Sequence, residues 1–126
     1  MNFVLDSSAL LAVIRGEAGA ENVAATLPTA MVSAVNMVEV IARLIDLRHS
    51  PARAQAIFEA LPVDVVPFDA DQAALAGRLR QETRHLGLSL GDRACLATAI
   101  ERGATVLTAD RAWAGLDVGC PIQLIR

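Results

Sequence analysis

Four acidic residues occupy positions where an α/β chain least tolerates charge. Asp6 follows the apolar Phe3-Val4-Leu5, Glu39 stands between Val38 and Val40-Ile41, Asp92 precedes Ala94-Cys95-Leu96-Ala97, and Asp110 closes Val106-Leu107-Thr108-Ala109. A carboxylate beside a core segment loses its water, at a cost that needs a positive partner. If the four converge, a divalent cation bound through oxygen supplies that partner, and metal-assisted attack on a phosphate is the chemistry such a cluster performs.

Each residue also has an ordinary explanation. Asp6 at a helix N-terminus is favoured by the helix dipole alone, and so is Asp92 in a first turn. Glu39 lies three residues after Asn36 and four before Arg43, and an i, i+4 pair with Arg43 is worth only about a few tenths of a kcal/mol. Ser89 is a better helix cap than Asp92, which leaves Asp92, at about the third helical position, free to point elsewhere. Asp110 suits a turn after a strand. The joint pattern, more than any single residue, favours function.

The elements that must position these residues alternate between strand and helix. Asn2 to Leu5 reads as a short buried strand, followed by a helix capped by Ser7 or Ser8 that runs to about Arg15 and stops at Gly16. Gly19 to Leu27 has helical spacing and ends at Pro28. Ala30 to Val32 is a second strand, with Ser33 capping a helix from about Ala34 to Arg48. Ser50-Pro51 opens a helix to about Leu61, because proline at the first helical position loses no needed donor. Val63 to Phe68, interrupted by Asp64 and Pro67, suits an edge strand. Asp69 caps a helix to His85 or Leu86, closed by Gly87. Ser89 to Gly91 opens another that ends at Arg102-Gly103, and Thr105 to Thr108 and Pro121 to Ile125 are strands. This order predicts a three-layer α/β/α sandwich with a mainly parallel central sheet. Ligands bind beyond the carboxyl ends of such strands, where Asp6 and Asp110 fall.

At 126 residues the chain suits a single domain, 1–126, with an aliphatic core, since 54% of it is hydrophobic and only 3% aromatic. Charged residues interrupt every apolar run before it could cross a bilayer, and the N-terminus lacks a signal-peptide pattern, so a cytoplasmic protein without membrane contact is expected. Cys95 and Cys120 lack a paired spacing and read as free thiols, and His49 and His85 are isolated, so neither residue type suggests a transition-metal site. All eleven Lys/Arg positions are arginine. The absence of lysine excludes a Walker phosphate loop, a phospho-acceptor receiver domain and a haloacid-dehalogenase-like phosphatase. A net charge of −3 argues against general coating of nucleic acid. Arg78, Arg80 and Arg84 read as a solvated helix face, whereas Arg93 and Arg111 are the better candidates to bind a phosphate beside the acidic cluster.

Taken together, the segments Leu5 to Leu10, Ser33 to Glu39, Leu88 to Ala99 and Thr108 to Arg111 resemble a PIN-domain ribonuclease of the toxin kind found in bacterial VapBC toxin-antitoxin pairs. The resemblance spans essentially the whole chain. It implies the α/β/α sandwich, a Mg²⁺- or Mn²⁺-dependent cut of RNA by activated water, and a cognate antitoxin that blocks the site. It places the catalytic and metal-ligating carboxylates at Asp6, Glu39, Asp92 and Asp110, with Ser8 and Thr108 as polar supports behind them. Ser7 stands where relatives often carry threonine. Two rivals are another metal-dependent phosphohydrolase and a catalytically silent PIN-like protein-binding module. The first wants a second aspartate at the position of Ser8 and a lysine; the second would be free to lose costly carboxylates. The apolar residues of the helices at Gly19 to Leu27 and Ser33 to Arg48 exceed what one face against a small sheet buries. A homodimer with an antitoxin segment along the remaining groove is therefore expected.

Overall fold

A computed structural model describes residues 2–126. In chain order the elements are β1 (Phe3–Leu5), α1 (Ser7–Arg15), α2 (Ala20–Ala24), β2 (Ala30–Ser33), α3 (Ala34–Asp46), α4 (Pro51–Glu59), β3 (Asp64–Val66), α5 (Ala70–Thr83), α6 (Leu90–Arg102), β4 (Thr105–Thr108) and β5 (Ile122–Leu124). Single 3-10 turns lie at Leu27–Thr29, Arg84–Leu86 and Arg111–Trp113. The five strands form one sheet in the order β3-β2-β1-β4-β5, with every pairing parallel. β3 is an edge strand, as Asp64 and Pro67 require.

Alternation along the strands builds two cores. Val4 and Val106 face a cluster with Leu79, Cys95, Leu96 and Trp113, whereas Leu5 and Leu107 face one with Leu10, Val40, Leu44 and Phe58. Helices α5 and α6 therefore cover one side of the sheet and α1, α3 and α4 the other, giving the expected three layers. Cys95 is buried and Cys120 half-buried, both as free thiols. Burial pushes the Cys95 thiol well above its usual range and that of Cys120 up to about 11. Among the described residues no helix is long and apolar enough to cross a membrane.

Local chemistry sets the helix ends. Ser33, Ser50, Asp69 and Ser89 each accept a first-turn backbone N–H, as their positions predict. Other boundaries differ from the sequence expectation. The cap of α1 is Asp6 rather than Ser7 or Ser8. The Gly19 to Leu27 stretch breaks after Ala24, because Pro28 organises its own 3-10 turn. Helix α3 stops at Asp46, and Arg48 takes a left-handed φ of 77° before α4 begins. Helix α5 ends at Thr83 and tightens into the 3-10 turn that Gly87 closes.

β1 leads outward on one side to β2 and β3, and the chain then returns to β4 and β5 on the other side of β1. The order thus reverses between β1 and β4, and the cleft beyond their carboxyl ends is where an open sheet receives a ligand. Asp6 leaves β1 and Ala109-Asp110 leave β4 at that edge.

Candidate active site

Asp6 is the residue most tightly held there. It is only 5% exposed. Its Oδ1 accepts the Ala9 backbone N–H at 2.9 Å and the Ser8 hydroxyl at 2.7 Å, and its Oδ2 accepts the Thr108 hydroxyl at 2.5 Å. The hydroxyls are themselves oriented. Ser8 Oγ accepts the Ala109 N–H at 2.9 Å and Thr108 Oγ1 accepts the Asp110 N–H at 3.0 Å. Each hydroxyl therefore directs its single proton at Asp6. Burial nevertheless outweighs these three donors, and the nearby charge of Asp92 adds to it, so the Asp6 carboxyl lies above the usual aspartate range.

Glu39 comes from α3. The Ser7 hydroxyl donates to its Oε1 at 2.5 Å and Asn36 Nδ2 donates to the same oxygen at 2.9 Å. The ordinary explanation, an ion pair with Arg43, does not form: the ion pairs among the described residues are Arg15–Glu17, Arg102–Glu101 and Arg126–Glu17. The carboxylate instead rests on the backbone of Gly91, where an added Cβ would overlap all three of its terminal atoms.

Asp92 departs from the sequence expectation, being less free than its position implied. Ser89 caps α6, but Asp92 completes a reciprocal capping box in which its Oδ2 accepts the Ser89 N–H at 2.9 Å. Its carboxyl is raised, by burial first and then by the charges of Glu39 and Asp110 against the lowering effect of Ser89. Asp110 is exposed and caps the last 3-10 turn through an Oδ1 contact to Ala112 N–H at 3.0 Å. The four acidic residues thus lie at one edge: Asp6 is linked to the Asp110 backbone through Thr108, Ser7 next to Asp6 holds Glu39, and Glu39 touches the residue before Asp92.

None of the four has a cationic side chain in an ion pair among the described residues. No three His, Cys, Asp or Glu side chains there are close enough to form a ready ligand cage, since Glu39, Asp92 and Asp110 each lean on local donors. An all-oxygen, uncompensated anionic edge fits a hard divalent cation. Mg²⁺ in particular binds through one or two carboxylates and keeps several waters, without a dedicated protein cage.

The two arginines separate. Arg93 turns toward α5, where its guanidinium donates to the Ala76 carbonyl at 3.0 Å and its Nε is buried without a partner. That contact ties α6 to α5 and differs from the phosphate contact expected of it. Arg111 is exposed beside Asp110. Three participants escape a search for charged residues: Ser7, Asn36 and Gly91. Asn36, three residues before Glu39 and so on the same helix face, and Ser7, next to Asp6, carried a sequence signal.

The fold has clear relatives. A toxin-antitoxin complex from Klebsiella pneumoniae superposes with a TM-score of 0.79 at 23% identity, covering 99% of this chain and 98% of that one. The DNA-bound VapBC complex of Salmonella typhimurium gives 0.75 at 21%, covering 100% and 99%. The sarcin-ricin-loop-cleaving toxin VapC20 of Mycobacterium tuberculosis gives 0.75 at 21%, covering 92% and 97%. These likenesses concern the fold. No curated protein matches the sequence. The sequence itself matches the PIN domain over residues 3–118, which takes in the parallel sheet's first four strands and all four acidic positions, and the chain belongs to the PIN domain family.

Proposed function

We propose that this protein is a metal-dependent endoribonuclease, the toxin of a toxin-antitoxin pair. The observation that carries this reading is the buried Asp6 carboxylate, held by three donors at the switch point of the sheet with Glu39, Asp92 and Asp110 around it and, among the described residues, no basic side chain paired to any of them. Membership of the PIN family and the likeness to toxin structures support the choice of RNA over other phosphodiesters.

Asp6, Glu39, Asp92 and Asp110 would hold Mg²⁺ or Mn²⁺. The cation supplies a Lewis acid that activates water and offsets charge building on the scissile phosphate. Ser8 and Thr108 hold Asp6 in one orientation and favour its charged form against burial by directing both hydroxyl protons at it. Exposed Arg111 is placed to bind a phosphate of the RNA backbone at the rim. No side chain is required as a covalent nucleophile.

An antitoxin partner has a suitable surface away from this edge. A groove of about 490 Å³ has an apolar floor of Ile14, Leu44, Leu47 and Ile57 and a basic rim of Arg15, His49 and Arg53. It suits an amphipathic segment with acidic flanks, whose continuation would bring a basic side chain to the carboxylates.

The test is cleavage of a panel of structured cellular RNAs by purified protein. Activity is expected with Mg²⁺ or Mn²⁺, is expected to vanish on chelation, and should leave 5′-phosphate ends. Cleavage that survives exhaustive chelation, or a 2′,3′-cyclic phosphate product, would reject the mechanism.

A further inference from the structure

We propose that Asn36 and Gly91 are positioning residues for Glu39, an assignment that rests on the metal-binding reading above. Both residues break a local rule. Gly91 lies in the first turn of α6 without a positive φ, so the backbone does not require glycine, and alanine there would favour the helix by about 1 kcal/mol. What excludes a side chain is the Glu39 carboxylate, which occupies the space a Cβ would take. Asn36 is 1% exposed on a helix whose other buried residues are Val40 and Leu44, and its Oδ1 has no partner, an arrangement that costs stability.

Both departures have the same beneficiary. Asn36 Nδ2 donates to Glu39 Oε1 at 2.9 Å and to the Gly91 carbonyl at 3.1 Å, and lies 3.4 Å from Ser7 Oγ. One amide thereby joins α3 to the first turn of α6 and stands beside the α1 hydroxyl that also holds Glu39. Ser7 Oγ and Asn36 Nδ2 both converge on Oε1, and among the described residues Oε2 has no hydrogen bond. The assembly fixes the height of Glu39 above Gly91 and hence its separation from Asp92, the next residue. Rule-breaking residues that agree on one purpose mark a site rather than a packing accident.

The test measures Mn²⁺ binding to RNA-free protein by electron paramagnetic resonance, with thermal melting alongside. Asn36→Ala and Gly91→Ala are expected to remain folded, Gly91→Ala with an unchanged or higher Tm, and to weaken Mn²⁺ binding about 10-fold or more. Because the effect passes through Glu39, adding Gly91→Ala to Glu39→Ala should cause no further loss. The two variants are independent, so either one alone decides the matter if the other does not fold. Wild-type Mn²⁺ affinity in the folded variants, or an equal loss from Gly91→Ala with and without Glu39, overturns the assignment. Asp6→Asn distinguishes the two levels: if it weakens Mn²⁺ binding while Asn36→Ala does not, the positioning role fails and the metal site stands. If neither Asp6→Asn nor Glu39→Ala weakens binding, both readings fail.

Discussion

At Asp6 one side chain performs two tasks that ordinarily compete. It caps α1 by accepting the Ala9 N–H, and it presents a charge that burial opposes. A carboxyl whose folded-state pKa is raised penalises folding in its ionised form; the penalty is full above the folded pKa and absent below the unfolded one. In metal-free protein at neutral pH, Asp6→Asn should therefore raise Tm by a few degrees, and with Mg²⁺ or Mn²⁺ supplied it should abolish RNA cleavage. The asparagine oxygen keeps the Ser8 and Ala9 contacts, and Thr108 reverses to accept from the new amide. Unaltered cleavage by the folded variant would remove Asp6 from the ligand set, and Asp117→Asn, exposed and outside the cluster, is the silent control. The arginines make a second residue-scale contrast. Arg93→Ala should lower Tm by loosening α5 from α6, because its guanidinium bonds the Ala76 carbonyl. Arg111→Ala should leave Tm unchanged and raise KM for RNA several-fold. Steady-state kinetics beside calorimetry separates the two, and a KM effect confined to Arg93→Ala would reverse these roles.

The elements show how helix starts deliver chemistry. Helix α1 is capped by Asp6, α3 begins about one and a half turns before Glu39, and α6 begins with the Ser89 and Asp92 capping box, so the acidic residues of the helices lie at or just beyond their capped first turns. Ser89→Ala should destabilise the protein by about 1 kcal/mol. Mn²⁺ binding should change little, because the Asp92 carboxylate accepts the Ser89 backbone N–H, a donor that alanine retains; a large loss of affinity would show that the Ser89 hydroxyl also orients Asp92. Much of this level was legible in the sequence. Ser33, Ser50, Asp69 and Ser89 announce their helices by type and position, and apolar strands between helices announce a parallel sheet. The Asp6 cap was not legible, since Ser7 and Ser8 are equally good capping residues and only the path of the chain out of β1 decides among the three. Asn36 and Gly91 were obscured for a different reason. Their roles arise from contacts 55 residues apart in sequence, and neither carries the charge by which an acidic site is found. The bond from Arg93 to the Ala76 carbonyl was not legible either, because adjacency to Asp92 in sequence says nothing of direction: on a helix, successive residues point about 100° apart.

For the whole molecule, the open question is what covers the outer face of α3. Val23 and Leu44 are in the core, but Val38 is 66% and Ile45 40% exposed, and Leu90 at the start of α6 is 55% exposed. Val38 and Ile45 are seven residues apart with exposed Ala42 between them, so they form one stripe. The stripe begins beside Glu39, and Asn36 bonded to the Gly91 carbonyl brings Leu90 to the same end of the helix. A stable dimer buries about 800 Å² on each partner, roughly an eighth of the 6467 Å² surface of this chain. The α3 stripe flanked by Leu90 is the apolar surface around which such an interface would form, and it would set two acidic edges side by side. Light scattering at micromolar concentration should then give a mass near twice 13.3 kDa. Ala42→Arg with Ile45→Arg, placed beyond Glu39 on exposed positions, should yield a folded monomer with Mn²⁺ affinity intact. A wild-type monomer that also fails to form a complex with the product of the adjacent gene would leave the stripe without a partner and defeat both the dimer and the antitoxin reading. A monomer that dimerises only when that product binds would instead assign the α3 face to the complex.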